Sequence, residues 1–176
     1  MKFFTAELIE RLGCAGEAVA GAAHEEWENA LARYEHYMQS IESELPGHIR
    51  EFNSLLLHDA MVWSIVRRGD QLIMVLRKDI PPQDVVILTY SLIGEPFVDK
   101  EALPPAQRSP VMHYQYDEFE LIREKDRNIY AQSILFGNGW EMRLRFSDLQ
   151  VSLGSPVYPL VGTVLVPVAC AVAKSA

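Results

Sequence analysis

Apolar residues along this chain follow two different spacings, and the change from one to the other comes near His58. Before it the pattern is helical. Thr5 is placed to cap a short helix that carries Leu8, Ile9 and Leu12 and stops at Gly13. Cys14 to Ala23 is small and alanine-rich, with Gly16 and Gly21, and reads as helix or as a tight connection. From His24 the signal strengthens: Trp27, Leu31, Tyr34, Met38, Ile41 and Leu45 fall three or four residues apart, one stripe of a helix over 24–44. Glu25, Glu26, Glu28, Arg33, Glu35 and Glu42 lie largely off that stripe. Pro46-Gly47 ends it, and a further short helix is expected within 47–55.

After His58 the period becomes that of strands. Val62 to Arg68 and Gln71 to Arg77 flank Gly69-Asp70 as a hairpin, and Asp84 to Leu92 reads as a third strand. Gly94 to Pro110, with four prolines, is expected to be a long loop. Val111 to Leu121 resumes as a strand with Tyr114 and Tyr116 on one face. Asn128 to Phe136 and Trp140 to Phe146 then form a second hairpin around Gly137-Asn138-Gly139. Past Asp148 the apolar phase slips by one, to Leu149, Val151 and Leu153, which predicts a bulge or bend.

The pattern predicts an α+β fold: N-terminal helices packed on a curved, mainly antiparallel sheet of five to seven strands. The chain length suits one domain, divided into a helical part over 1–56, a sheet over 57–155 and an apolar segment over 156–176. The first three strands are apolar on both faces, and three short helices can cover only one face of a sheet. The sheet must therefore curl over itself, lie under the C-terminal segment, or meet a second subunit. Trp63, Ile73, Val75 and Ile87 are the expected contact residues of a homodimer.

Charge narrows the partners. The net charge is −8 and the sequence pI about 5.1, which argues against binding the phosphates of nucleic acid. Residues 1–56 hold four bases against ten glutamates, so most of the acidity belongs to the helices. The two cysteines, Cys14 and Cys170, make no metal or disulfide spacing. The opening residues lack the apolar run of a signal peptide, which makes the cytoplasm the expected compartment. Val157 to Ala173 is uncharged, but Pro159, Gly162, Pro167 and the run of valines favour a buried strand over a membrane-spanning helix.

Candidate chemistry is sparse. His58-Asp59 suggests acid–base work, yet successive residues of a strand point to opposite faces, so the two are not expected to pair. Tyr114 and Tyr116, with Arg143 and Arg145 on the opposite side of their strand from Trp140, make a mixed aromatic and cationic surface of the kind enriched at interfaces. These six residues are the candidate ligand-binding set. His24-Glu25-Glu26-Trp27-Glu28 lacks the second histidine of a zinc helix, and Gly137-Asn138-Gly139 lies between strands rather than before a helix. No catalytic residue, metal or cofactor is therefore assigned.

The opening Met1-Lys2-Phe3-Phe4-Thr5-x-Glu7, the pattern Trp27…Asn29…Tyr34…Tyr37…Ile41…Leu45-Pro46, and Leu57-His58-Asp59-Ala60 leading into the Gly69-Asp70 hairpin resemble an uncharacterised bacterial domain-of-unknown-function family. The resemblance covers roughly the first 80 residues well and the rest in outline. It implies the fold and the bacterial cytoplasm, and no activity. His58-Asp59-Ala60 is also similar to the corresponding stretch of some small, acidic bacterial immunity proteins, which neutralise a co-encoded toxin by binding it. The expected function is that of a non-enzymatic protein-binding protein, acting on a protein partner or by self-association, without nucleic acid or membrane. The alternative is a small-ligand-binding protein or enzyme with a pocket near His58, between helices and sheet.

Overall fold

A computed structural model describes residues 1–13, 16–78, 85–125 and 127–154. Three helices come first: α1 (Ala6–Leu12), α2 (Glu17–Ile41) and α3 (Gly47–Asn53). Thr5 caps α1 as expected, its hydroxyl accepting from the Leu8 N–H at 3.3 Å. The stretch left open between helix and connection is largely helix, because α2 starts at Glu17 and runs through Gly21.

Seven strands follow: β1 (Ala60–Arg68), β2 (Gln71–Arg77), β3 (Val85–Leu92), β4 (Phe97–Asp99), β5 (His113–Glu124), β6 (Arg127–Phe136) and β7 (Glu141–Gly154). Every pairing is antiparallel, and the fold is α+β. The long loop predicted over Gly94 to Pro110 contains β4, which carries the line of β3 onward along β7.

The sheet closes on itself. Its order runs β3-β2-β1-β5-β6-β7, and β7 returns to pair with β3 from Val85↔Gly154 to Leu92↔Phe146. Closure turns one face of the six ring strands into an interior, while the short β4 stays largely exposed. Leu72, Met74 and Leu76 of β2, Val86, Leu88 and Tyr90 of β3, and Leu144, Phe146 and Leu149 of β7 point into it, buried. The phase slip predicted past Asp148 is real: Ser91 pairs with Asp148 but Leu92 with Phe146, so Ser147 is the extra residue. That bulge lets β7 keep its apolar residues inward through both halves of its length. Ile41, Leu45, Ile49 and Phe52 from the end of α2 and from α3 join the same core.

One joint of the ring is short. β1 and β5 pair only at Ala60↔Tyr114 and Met61↔His113, flanked by backbone bonds from Asp59 N–H to Tyr114 and from Val62 N–H to Met112. Further along β5 the peptide N–H groups of Phe119 and Leu121 have no strand partner on that side. They donate instead to the hydroxyls of Tyr34 and Tyr37 on α2, at 2.8 and 2.9 Å. This explains why the α2 stripe is only partly buried: Trp27, Leu31, Tyr34 and Met38 lie along an opening of the barrel, while Ala23, Ala30 and Ile41 are fully enclosed. Trp27 packs in tilted contact with Phe4 and Tyr116, at 4.7 and 4.8 Å between ring centres.

The N-terminal residues are fastened to the outside of β5 by one carboxylate. Glu118 is buried and accepts from the peptide N–H groups of Lys2, Phe3 and Phe4 at 2.5, 2.6 and 2.6 Å. Met1 N pairs with Glu141 at 2.7 Å, and Arg143 reaches the same oxygen. Burial pushes the Glu141 carboxyl up, but Arg143 and the Met1 ammonium outweigh it and hold the group below its usual range. Among the described residues no helix is long and apolar enough to cross a membrane, and the segment from Val157 to Ala173 lies outside them.

Removing the Glu118 side chain leaves three peptide donors short of a charged acceptor. Glu118→Ala is expected to cost about 3 kcal/mol in urea unfolding. An unchanged midpoint would mean that the N-terminal segment contributes nothing to the fold.

Candidate functional site

The short β1–β5 joint gathers the polar groups that sequence reasoning singled out first. His58 and Asp59 do not lie on a strand: they form the turn before β1, with Asp59 at φ +62°, the one non-glycine residue with positive φ among those described. Aspartate tolerates this conformation better than most residues do. The expectation that the two side chains point apart is therefore corrected, since His58 Nε2 stands 3.4 Å from Asp59. His58 Nδ1 bonds the Gln115 carbonyl at 2.6 Å, and its ring lies 5.2 Å from that of Tyr116.

A second histidine completes the corner. His113 Nε2 lies 3.9 Å from the other Asp59 oxygen. Its ring occupies the space over Gly137, where an added Cβ would fall 1.9 Å from it, so only glycine at 137 allows this placement. Sequence reasoning missed His113 because the β1–β5 contact joins strands far apart in the chain. A hollow of about 270 Å³ adjoins the corner, lined by Asp59, Met61, Arg77, Lys78, Val111 and His113.

Tyr114 and Tyr116 were expected on one face, and the structure separates them. Tyr114 pairs with Phe136 and Tyr116 with Leu135, so Gln115 is a bulge residue. Tyr116 stays outside, against Trp27 and His58, whereas Tyr114 points into the barrel. There it joins a buried polar network. Tyr90 donates to Gln132 Oε1 at 2.9 Å, and Gln132 Nε2 donates to the Tyr114 hydroxyl and to Asp117 at 2.9 and 2.7 Å. Burial, and then the Asp117 charge, raises both tyrosines well above their ordinary value.

Asp117 is the remaining group that the sequence did not announce. Burial pushes its carboxyl up to about 6, against the hydrogen bonds from Gln132 and Tyr114. It is half-buried at the back of a crevice of about 190 Å³ between α2, the end of α3 and the chain leading to β1, lined by Tyr34, Met38, Phe52, Asn53, Leu55 and Leu57.

Arg143 and Arg145 lie elsewhere, on the outside of β7. Neither is a free cation: Arg143 pairs with Glu141 at 2.7 Å and Arg145 with Glu124 at 3.0 Å. They border a groove of about 390 Å³ whose other side carries Glu118 and Glu120. The expected cationic face is thus charge-balanced. Of the six candidate residues, the structure brings His58, Asp59 and Tyr116 together and places Tyr114, Arg143 and Arg145 apart.

Above the His58 corner the outside of β1, β2 and β3 is a continuous apolar face. Cross-strand partners share a face, and the outward rows are Val66–Ile73–Thr89, Ser64–Val75–Ile87 and Met61–Arg77–Val85. A bulge between Val62 and Ser64 sets Trp63 out as an extra residue, 47% exposed, with the Arg77 guanidinium 5.8 Å from its ring centre. Met61 and Val66 are also exposed, and Ile73, Val75 and Ile87 are half-buried. Among the described residues, no cluster of histidine, cysteine and carboxylate side chains could hold a metal ion. Compared with known proteins, the chain matches no family model and no curated sequence.

The raised Asp117 carboxyl means that the folded protein holds this proton more tightly than the unfolded chain. Its contribution to stability is fully present below pH 3.8 and is lost as pH rises through about 6. The difference amounts to about 3 kcal/mol. Asp117→Asn is therefore expected to gain stability over the wild type between pH 4 and pH 7.5, read from urea midpoints at both values. An identical gap at the two pH values would contradict the assignment.

Proposed function

We propose that this chain is a non-enzymatic protein-binding protein of the bacterial cytoplasm that docks a partner on the outer face of β1, β2 and β3. The observation that carries the reading is Trp63. A closed barrel has no need to project a tryptophan on a bulge into solvent, where its large apolar surface faces water. Tryptophan, methionine and arginine are the residues enriched at the centres of interfaces, and Trp63, Met61 and Arg77 stand together here.

The rim gives the partner its chemistry. Arg68 and Lys78 border the face at its opposite ends, two cations on a chain whose net charge is −8. The occupant that fits is a protein surface apolar at its centre and acidic around it. Such a role agrees with the likeness to immunity proteins, which act by binding alone. The alternative, a small-ligand site or enzyme at the His58 corner, has the Asp59 pair of histidines and a hollow of about 270 Å³ in its favour. The polar groups of the corner, however, are engaged with one another and with the Gln115 carbonyl.

A photo-crosslinking amino acid at Trp63 is expected to give a discrete protein adduct in the source cells that is lost with Ile73→Asp and absent for the same probe at Glu35 on α2. Sedimentation at micromolar concentration identifies a second copy as the occupant if a dimer forms and Ile73→Asp disperses it. A monomer that gives no adduct at 63, or the same adducts at 63 and 35, would overturn the reading.

A further inference from the structure

The Asp117 crevice is a poor feature for a folding core and a good one for a ligand. Gln132 and Tyr114 need an acceptor at this inward position, but a neutral amide would serve them, and keeping a charge there costs stability at neutral pH. The groups that face Asp117 are Tyr114 on its own strand, Gln132 on β6, Tyr90 on β3 and Tyr34 on α2, with the Glu118 charge nearby from the other face of β5. Asn53 from the end of α3 is the other polar residue lining the crevice. Among the described residues no lysine, arginine or histidine pairs with Asp117. The field at the back of the crevice is therefore negative.

The walls are apolar: Met38, Phe52, Leu55 and Leu57, with the Tyr34 ring beside them. A volume of about 190 Å³ is too small for a drug-sized molecule and enough for a short chain. A divalent metal would need more oxygen ligands than Asp117 and Asn53 supply. What complements one carboxylate, one aromatic face and apolar walls is a single positive charge on a short hydrocarbon body.

We propose that this crevice binds a small aliphatic ammonium ion, of about four to six heavy atoms, with its head on the Asp117 carboxylate and its chain between Met38, Phe52, Leu55 and Leu57. Tyr34 contributes its ring to the cation, while its hydroxyl remains engaged by the Phe119 N–H. The site differs from the outer face of β1 to β3, and neither depends on the other.

The test is a titration of the full chain with n-butylammonium chloride at pH 7.5, followed by amide chemical shifts, with n-butanol as the neutral comparison. Saturable shifts at Asp117, Phe52 and Leu57 in the millimolar range are expected, with n-butanol at least about tenfold weaker. Affinity falls about tenfold between pH 7.5 and pH 5, as the carboxylate takes up its proton. Asp117→Asn keeps the shape and removes the charge, and Leu55→Trp fills the crevice without touching the network; each weakens binding at least about tenfold. No saturable shift up to about 50 mM, equal binding of n-butanol, or unchanged affinity in both variants would overturn the proposal.

Discussion

Beyond Tyr114, one side of β5 has no strand beside it, and two tyrosine hydroxyls stand where a ladder would run. The peptide groups of Phe119 and Leu121 would otherwise be unpaired donors at the edge of an apolar core, a cost of about 1–3 kcal/mol each. Tyr34 and Tyr37 lie three residues apart on α2, so one helix turn presents both hydroxyls to donors two residues apart on a strand. The helix thereby substitutes for the missing length of β1. Everything else about the N-terminal third follows from keeping it there: Glu118 ties down the segment before α1, Trp27 rests on Tyr116, and Glu44 pairs with Arg123 at the far end.

Closure has a second consequence. An open sheet of these strands would expose two apolar faces, whereas a ring turns one inward and leaves only the unpaired length at the β1–β5 joint as an edge. α1 and Trp27 of α2 cover one end of the outside of β5 and β6, where Ile9 and Leu135 are buried and Trp27 rests on Tyr116. The outside of β1 to β3 keeps its apolar residues with only partial cover, and the short joint leaves a way in to Asp117. Both features with functional promise are thus by-products of the same geometry, one where the helices do not reach and one where the strands do not meet.

Much of this was legible in the sequence. The two periodicities separated helices from strands, the Gly69-Asp70 turn set the first hairpin, and the slip at Leu149 announced the bulge at Ser147. A similar slip existed in β5, where inward positions pass from Tyr114 to Phe119 and Leu121, but two tyrosines in alternation masked it. Closure of the sheet over itself was one of three options the sequence left open, but the strands that close it could not be read, because nothing local in Val85 to Leu92 specifies β7 as its neighbour. His113 and Asp117 were invisible for the same reason. Their significance comes from what long-range pairing places beside them; Arg145 likewise looked free because its partner Glu124 comes from β5, whereas the partner of Arg143, Glu141, stands two residues away on the same face and was legible.

Amide hydrogen exchange at Phe119 and Leu121 tests the sealing of the joint most directly. The wild type should protect both amides to the level of the β6–β7 ladder, and the double variant Tyr34→Phe, Tyr37→Phe should release these two while Ile134 and Leu144 stay protected. Fast exchange at 119 and 121 in the wild type, or unaltered protection in the variant, would mean that α2 does not complete the barrel.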